Sequence, residues 1–122
     1  MKQVINWFEI PAADFERAVT FYENIFATKL MYGEMNGMKL GIFPYEAPGP
    51  SGAVCQMPAR QPGQDGTLIY LNAGDGVAPV LERVKANGGK VVLDKTLIRD
   101  DIGYIGIFID SEGNSVGVHA YK

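Results

Sequence analysis

The chain carries one histidine, His119, and one cysteine, Cys55, so chemistry that needs an imidazole or a thiol starts from these two. His119 lies in "SVGVHAYK", an alternating apolar segment, where an imidazole serves as a metal ligand, a proton carrier or a hydrogen-bonded filler of the core. Cys55 lies in "GAVCQM", with no Cys-His motif in its local context, and a lone cysteine forms no intrachain disulfide, which fits a reducing compartment. Other motifs offer less. "NGGK" lacks the spacing of a phosphate-binding loop and reads as a helix stop, and no G-x-S-x-G is present. "DSEGN" matches a fragment of a calcium loop but lacks the remaining ligands, so it reads as a turn. Lys95 and Thr96 in "LDKTLI" could donate to an anionic ligand, although a strand lysine is more often a solvated edge charge.

The elements that position these residues follow from periodicity. "DFERAVTFYENIF" puts Phe15, Ala18, Val19, Tyr22, Ile25 and Phe26 on one helical face, with Asp14 as N-cap and Glu16 suited to the helix dipole. "DGVAPVLERVKANGG" repeats the design, with Val77, Val80, Leu81 and Val84 as the stripe, Pro79 in the first turn and Gly88 as the stop. Strand-like segments flank both helices: "VINWFEI" before the first, then "KLMYGEM", an Asn36-Gly37 hairpin, "MKLGIF" and "GAVCQM". "TLIYLN" precedes the second helix, and "KVVLDKTLI", "YIGIFI" and "SVGVHA" follow it.

The order is βαβββ twice over. Asp14 and Asp75 align, as do Trp7 with Leu68 and Glu9 with Tyr70, while Gly41-Ile42-Phe43 aligns with Gly106-Ile107-Phe108 after the loops change length. We therefore expect an α+β fold: one domain over 1–122, built of two modules at about 1–60 and 61–122, with an open, curved mixed sheet or half-barrel and the helices outside. The Pro/Gly-rich stretches "PYEAPGPSG" and "MPARQPGQDG" read as loops, the second as the linker between modules.

Composition narrows the partners. The net charge is −3, and Lys and Arg are scattered, so nucleic acid and an anionic membrane surface are excluded as main partners. No apolar run reaches the length of a membrane-spanning helix, and "MKQVINWFEIPAAD" lacks the apolar core of a signal peptide, so a cytoplasmic location is expected.

A tandem βαβββ pair with "D…RAxxFYxxxF" after the first strand and "DxEGN" before the last resembles the vicinal oxygen chelate superfamily. That group includes glyoxalase, the extradiol dioxygenases and the bleomycin and fosfomycin resistance proteins. The resemblance rests on Asp14, Arg17, Ala18, Phe21, Tyr22 and Phe26 in the first half and on Gly88, Gly89, Asp110, Glu112, Gly113 and Asn114 in the second, and it spans essentially the whole chain. "GTLIYLNAGDGVAPVLERVKANGGKVVLDKTLI" is similar to a glyoxalase-related subgroup without a known reaction.

The resemblance implies metal donors at positions filled here by Trp7, Leu68, Gly117 and about Ala53, none of which binds a cation. No metal or other cofactor is therefore expected, unless a register shift places a divalent cation elsewhere. One side-chain step along the same strands come Glu9, Cys55, Tyr70 and His119. These are expected to line a cleft, with His119 and Glu9 as an acid–base or anchoring pair and Trp7, Cys55 and Tyr70 as ligand contacts. The expected function is that of a glyoxalase/bleomycin resistance-like protein that binds a small molecule between paired modules, as a homodimer and without the usual metal. The alternatives are a metal-dependent lyase or isomerase and a non-catalytic protein-interaction module.

Overall fold

A computed structural model describes residues 4–122. Its elements are β1 (Trp7–Pro11), α1 (Phe15–Phe26), β2 (Met31–Met35), β3 (Met38–Ile42), β4 (Ser51–Gln56), β5 (Tyr70–Asn72), α2 (Val77–Ala86), β6 (Lys90–Arg99), β7 (Gly103–Ile109) and β8 (Ser115–Ala120). The Asp14 carboxylate accepts the Arg17 N–H at 3.1 Å and starts α1, which buries Phe15, Ala18, Phe21, Tyr22 and Ile25. The second helix buries Val77, Val80, Leu81 and Val84, but Gly76 stands at its N-cap without a side-chain bond, so the aligned Asp75 does not repeat the role of Asp14. Asn36 and Gly37 take φ of 52° and 78°, the left-handed pair that closes a two-residue hairpin between β2 and β3.

Each module forms a mixed four-stranded sheet, ordered β1-β4-β3-β2 in the first and β5-β8-β7-β6 in the second. The β1–β4 and β5–β8 pairs are parallel and the others antiparallel. The arrangement is open, not a closed barrel. β5 is shorter than the "TLIYLN" segment that the alternation suggested. β6 is long, and register shifts at three points along it bend that edge strand.

One continuous core joins both modules on the helix-facing side. Tyr22 and Ile25 of α1, Val80 and Val84 of α2, and Ile10, Val54, Phe108 and Val118 of the sheets all belong to it. Tyr22 packs edge-on against Phe21 and Phe43 and lies near Phe108, while Trp7 stands exposed outside this aromatic cluster. The aligned glycines Gly41 and Gly106 let the helices approach: a Cβ on Gly41 would sit 2.9 Å from Val19, and one on Gly106 2.7 Å from Leu81. The repeat thus preserves, in both copies, the point where helix meets sheet.

Candidate functional site

With Phe8, Ile10 and Val54 committed to the core, strand alternation turns Trp7, Glu9, Ala53 and Cys55 to the opposite, concave face. On that face of the first sheet lie Met31, Gly33 and Met35 of β2, paired with Ile42, Leu40 and Met38 of β3. Leu40, Ala53 and Cys55 form a small buried cluster there, with Met38, Ile42 and Met57 packed against it. In the second module Leu71, Val116 and Val118 belong to the core, so Tyr70, Asn72, Gly117 and His119 face the concave side. The Tyr70 ring lies over Gly117, where an added Cβ would be 2.3 Å from it.

The parallel pairing sets which of these side chains are lateral neighbours. Glu9 lies opposite Ala53 and Tyr70 opposite Gly117, while Cys55 lies opposite Pro11 and His119 opposite Asn72. Glu9, Cys55, Tyr70 and His119 share a face but do not form one lateral row, because alternation fixes the face of a strand and not its register against a neighbour. Glu9 accepts a hydrogen bond from Trp7 Nε1–H at 3.2 Å. The ring of His119 instead meets the Ile102 carbonyl through Nε2 at 2.5 Å, and since a carbonyl only accepts, Nε2 carries the proton. Tyr121 packs edge-on against the same ring at 4.9 Å. Glu9 and His119 therefore have separate partners.

Cys55 is fully buried. Burial first, and the charge of Glu9 second, push its thiol up to about 12. Native protein is accordingly expected to leave Cys55 unlabelled by iodoacetamide at neutral pH, with labelling complete in denaturant; rapid labelling of the folded chain, followed by mass spectrometry, would show the thiolate to be accessible. Lys95 lies over the Tyr104 ring, 4.4 Å from its centroid, and Thr96 donates to the Asp94 carbonyl.

The residues at the positions of the implied metal donors do not fit a divalent cation. Trp7, Ala53, Leu68 and Gly117 present an indole, a methyl, an isobutyl group and a hydrogen, whereas such a cation needs several converging imidazole or carboxylate donors. Among the described residues, no three or more His, Cys, Asp or Glu side chains converge where they could hold one.

The best-built polar cluster lies elsewhere, where the "DSEGN" turn meets the start of α1. The Glu112 carboxylate accepts the N–H groups of Ala13 and Asp14 at 2.9 and 2.7 Å and the Arg17 guanidinium at 2.6 and 3.2 Å. Gln56 accepts the Phe15 N–H at 2.8 Å, so the open amides of the first helical turn are met by side chains from outside the helix. Buried Asp110 accepts the Tyr22 hydroxyl at 2.7 Å and the N–H groups of Glu112 and Asn114 at 2.9 and 2.8 Å. The Asn114 amide then donates to the Pro11 carbonyl at 2.8 Å. Burial pushes the Glu112 carboxyl up, but hydrogen bonds from Arg17, the Asp14 amide and Ser111 outweigh it and hold the group below the ordinary carboxylate range. Its contribution to stability is present above that range and is lost as pH falls through the folded-state value. Burial, then the Asp110 charge, raises the Tyr22 phenol well above its usual value. Sequence reasoning took "DSEGN" for a turn and missed that it clasps the first module.

Comparison with known proteins agrees with this architecture. No family sequence model matches the chain. It is 32% identical over 117 residues to a glyoxylase-like domain-containing protein of Didymella fabae, covering 91% of this chain and 88% of that one. Among solved structures it resembles a glyoxalase/bleomycin resistance protein from Albidiferax ferrireducens, with TM-score 0.69, 18% identity and coverage of 95% and 98%. A fosfomycin resistance protein from Listeria monocytogenes also gives TM-score 0.69, at 17% identity and coverage of 98% and 91%. Duplicated module, open pair of sheets and relative together make the chain a member of the glyoxalase/bleomycin resistance, or vicinal oxygen chelate, superfamily.

Proposed function

We propose that the protein binds a small apolar molecule against the concave face of its sheets, without a divalent cation and as a pair of identical subunits. The observation that carries this reading is the first sheet's open face, where Trp7, Met31 and Met35 are exposed and Met38 and Ile42 partly buried around the buried Leu40, Ala53 and Cys55. Methionine is unbranched and polarizable, so such a wall adapts to ligands of varied outline, aromatic ones included. A cavity of about 460 Å³ beside β5, lined by Ile5, Phe8, Leu68, Ile69 and Tyr70 among others, is of the size a small ligand fills. Glu9 and His119 have separate partners, which favours binding over proton transfer between them. Met31, Met35 and Tyr70 remain exposed in one chain, and a second copy covering part of that surface accounts for them.

The test is a titration of chelator-treated protein with N-phenyl-1-naphthylamine, a neutral dye that brightens in apolar surroundings. A saturable rise is expected, weakened about fivefold by Met38→Ser through the loss of apolar contact. A rise that is linear in dye, or one that needs added divalent cation, contradicts the reading. Sedimentation at twice the chain mass of 13.3 kDa is expected, and a monomer at all concentrations contradicts the pairing.

A further inference from the structure

On the seven strands other than β6, alternation leaves a single carboxylate, ammonium or guanidinium on the concave face, and it is Glu9. The rest of that face on these seven strands is apolar or neutral, apart from the imidazole of His119, which is engaged with Ile102, while Lys90 and Arg99 of β6 pair with Ile109 and Gly103 at its far edge. The Glu9 carboxylate is exposed, and its hydrogen bond comes from the edge of Trp7, not from a cation; among the described residues, no lysine or arginine forms an ion pair with it. Trp7 is itself 45% exposed on the same face. Both border a cavity of about 570 Å³ whose other walls include Pro11, Met57, Arg60 and Asp65.

We infer that this cavity is a subsite for an organic ammonium group carried on an apolar body, a narrower form of the ligand-binding reading above, on which it rests. An indole face attracts a cation within about 6 Å of the ring centroid. A carboxylate hydrogen-bonded to the edge of that ring adds Coulomb attraction from a fixed place, in surroundings with less water than the open surface. Met57 and Pro11 then provide contact for the hydrocarbon part of the ligand. A neutral molecule of the same shape keeps the apolar contact and gains neither charge effect.

Three probes with nearly the same body separate the possibilities: 4-phenylbutylammonium, 4-phenylbutanol and 4-phenylbutyrate. Trp7 is the chain's one tryptophan, so its fluorescence reports the site directly. The ammonium compound is expected to bind about tenfold tighter than the alcohol, the carboxylate weakest, with the preference falling as salt is added. Glu9→Gln should remove most of the ammonium preference, leaving only the part that the Trp7 face supplies, while circular dichroism shows the fold intact. If the alcohol binds native protein as tightly as the ammonium compound, or if Glu9→Gln keeps the preference, the cation subsite is overturned and the apolar reading stands. If none of the three binds, both are overturned.

Discussion

Replacing Asp110 by alanine is expected to destabilise the fold by about 4 kcal/mol and to lower the melting temperature by roughly 15 °C, measured by denaturant and thermal unfolding. The carboxylate is buried and receives the Tyr22 hydroxyl, two backbone N–H groups and the Asn114 amide, the last at 3.0 Å. Alanine leaves these donors without an acceptor in a place that water does not readily reach, and the loss of a buried acceptor costs more than one hydrogen bond gains. Tyr22→Phe removes only one of the four and should cost about 1 kcal/mol. A loss below about 1 kcal/mol for Asp110→Ala would mean that the turn is not what joins the second module to α1.

The second large effect concerns the paired glycines. Gly106→Ala should cost about 2 kcal/mol and Gly41→Ala about half of that. The added methyl on Gly106 meets Leu81 at 2.7 and 3.1 Å and Val77 at 3.2 Å, and both partners are buried with nowhere to turn. On Gly41 it meets Val19 at 2.9 Å, but Val19 is only half-buried and can rotate toward solvent. Equal losses at the two positions, measured by denaturant unfolding, would show that α2 shifts as freely as the valine side chain does.

The same contacts explain why the fold is legible in the sequence and the site much less so. The residues that carry the superfamily resemblance, Arg17 and Tyr22 in one half and Asp110, Glu112 and Asn114 in the other, bond to one another or cap α1. They are fold-makers, and their pattern says nothing of a ligand. Helical periodicity found both helices because each buries a single stripe, and Asn36-Gly37 found its hairpin because only such residues take that turn easily. The concave face was harder to read. Alternation put Trp7, Glu9, Cys55, Tyr70 and His119 on it, but lateral neighbours depend on strand register, and register is a tertiary property. The methionines carry no pattern in the sequence, because Met31 and Met35 lie on β2, Met38 on β3 and Met57 just past β4, and they share a face only when those strands are side by side.

On the reading proposed here, the positions at which the superfamily resemblance implies metal donors belong to an apolar wall. Indole at position 7 and hydrogen at position 117 trade coordination for contact area, with Tyr70 laid across the latter. Affinity then depends on shape, polarizability and the Glu9 charge, terms that change little when a chelator is present.

The most direct measurement is the methyl spectrum of methionine-labelled protein in excess chelator, recorded while N-phenyl-1-naphthylamine is added. The methyl signals of Met31, Met35, Met38 and Met57 are predicted to move together and to saturate. Signals that stay still until a divalent cation is supplied would contradict a metal-free apolar site on this face.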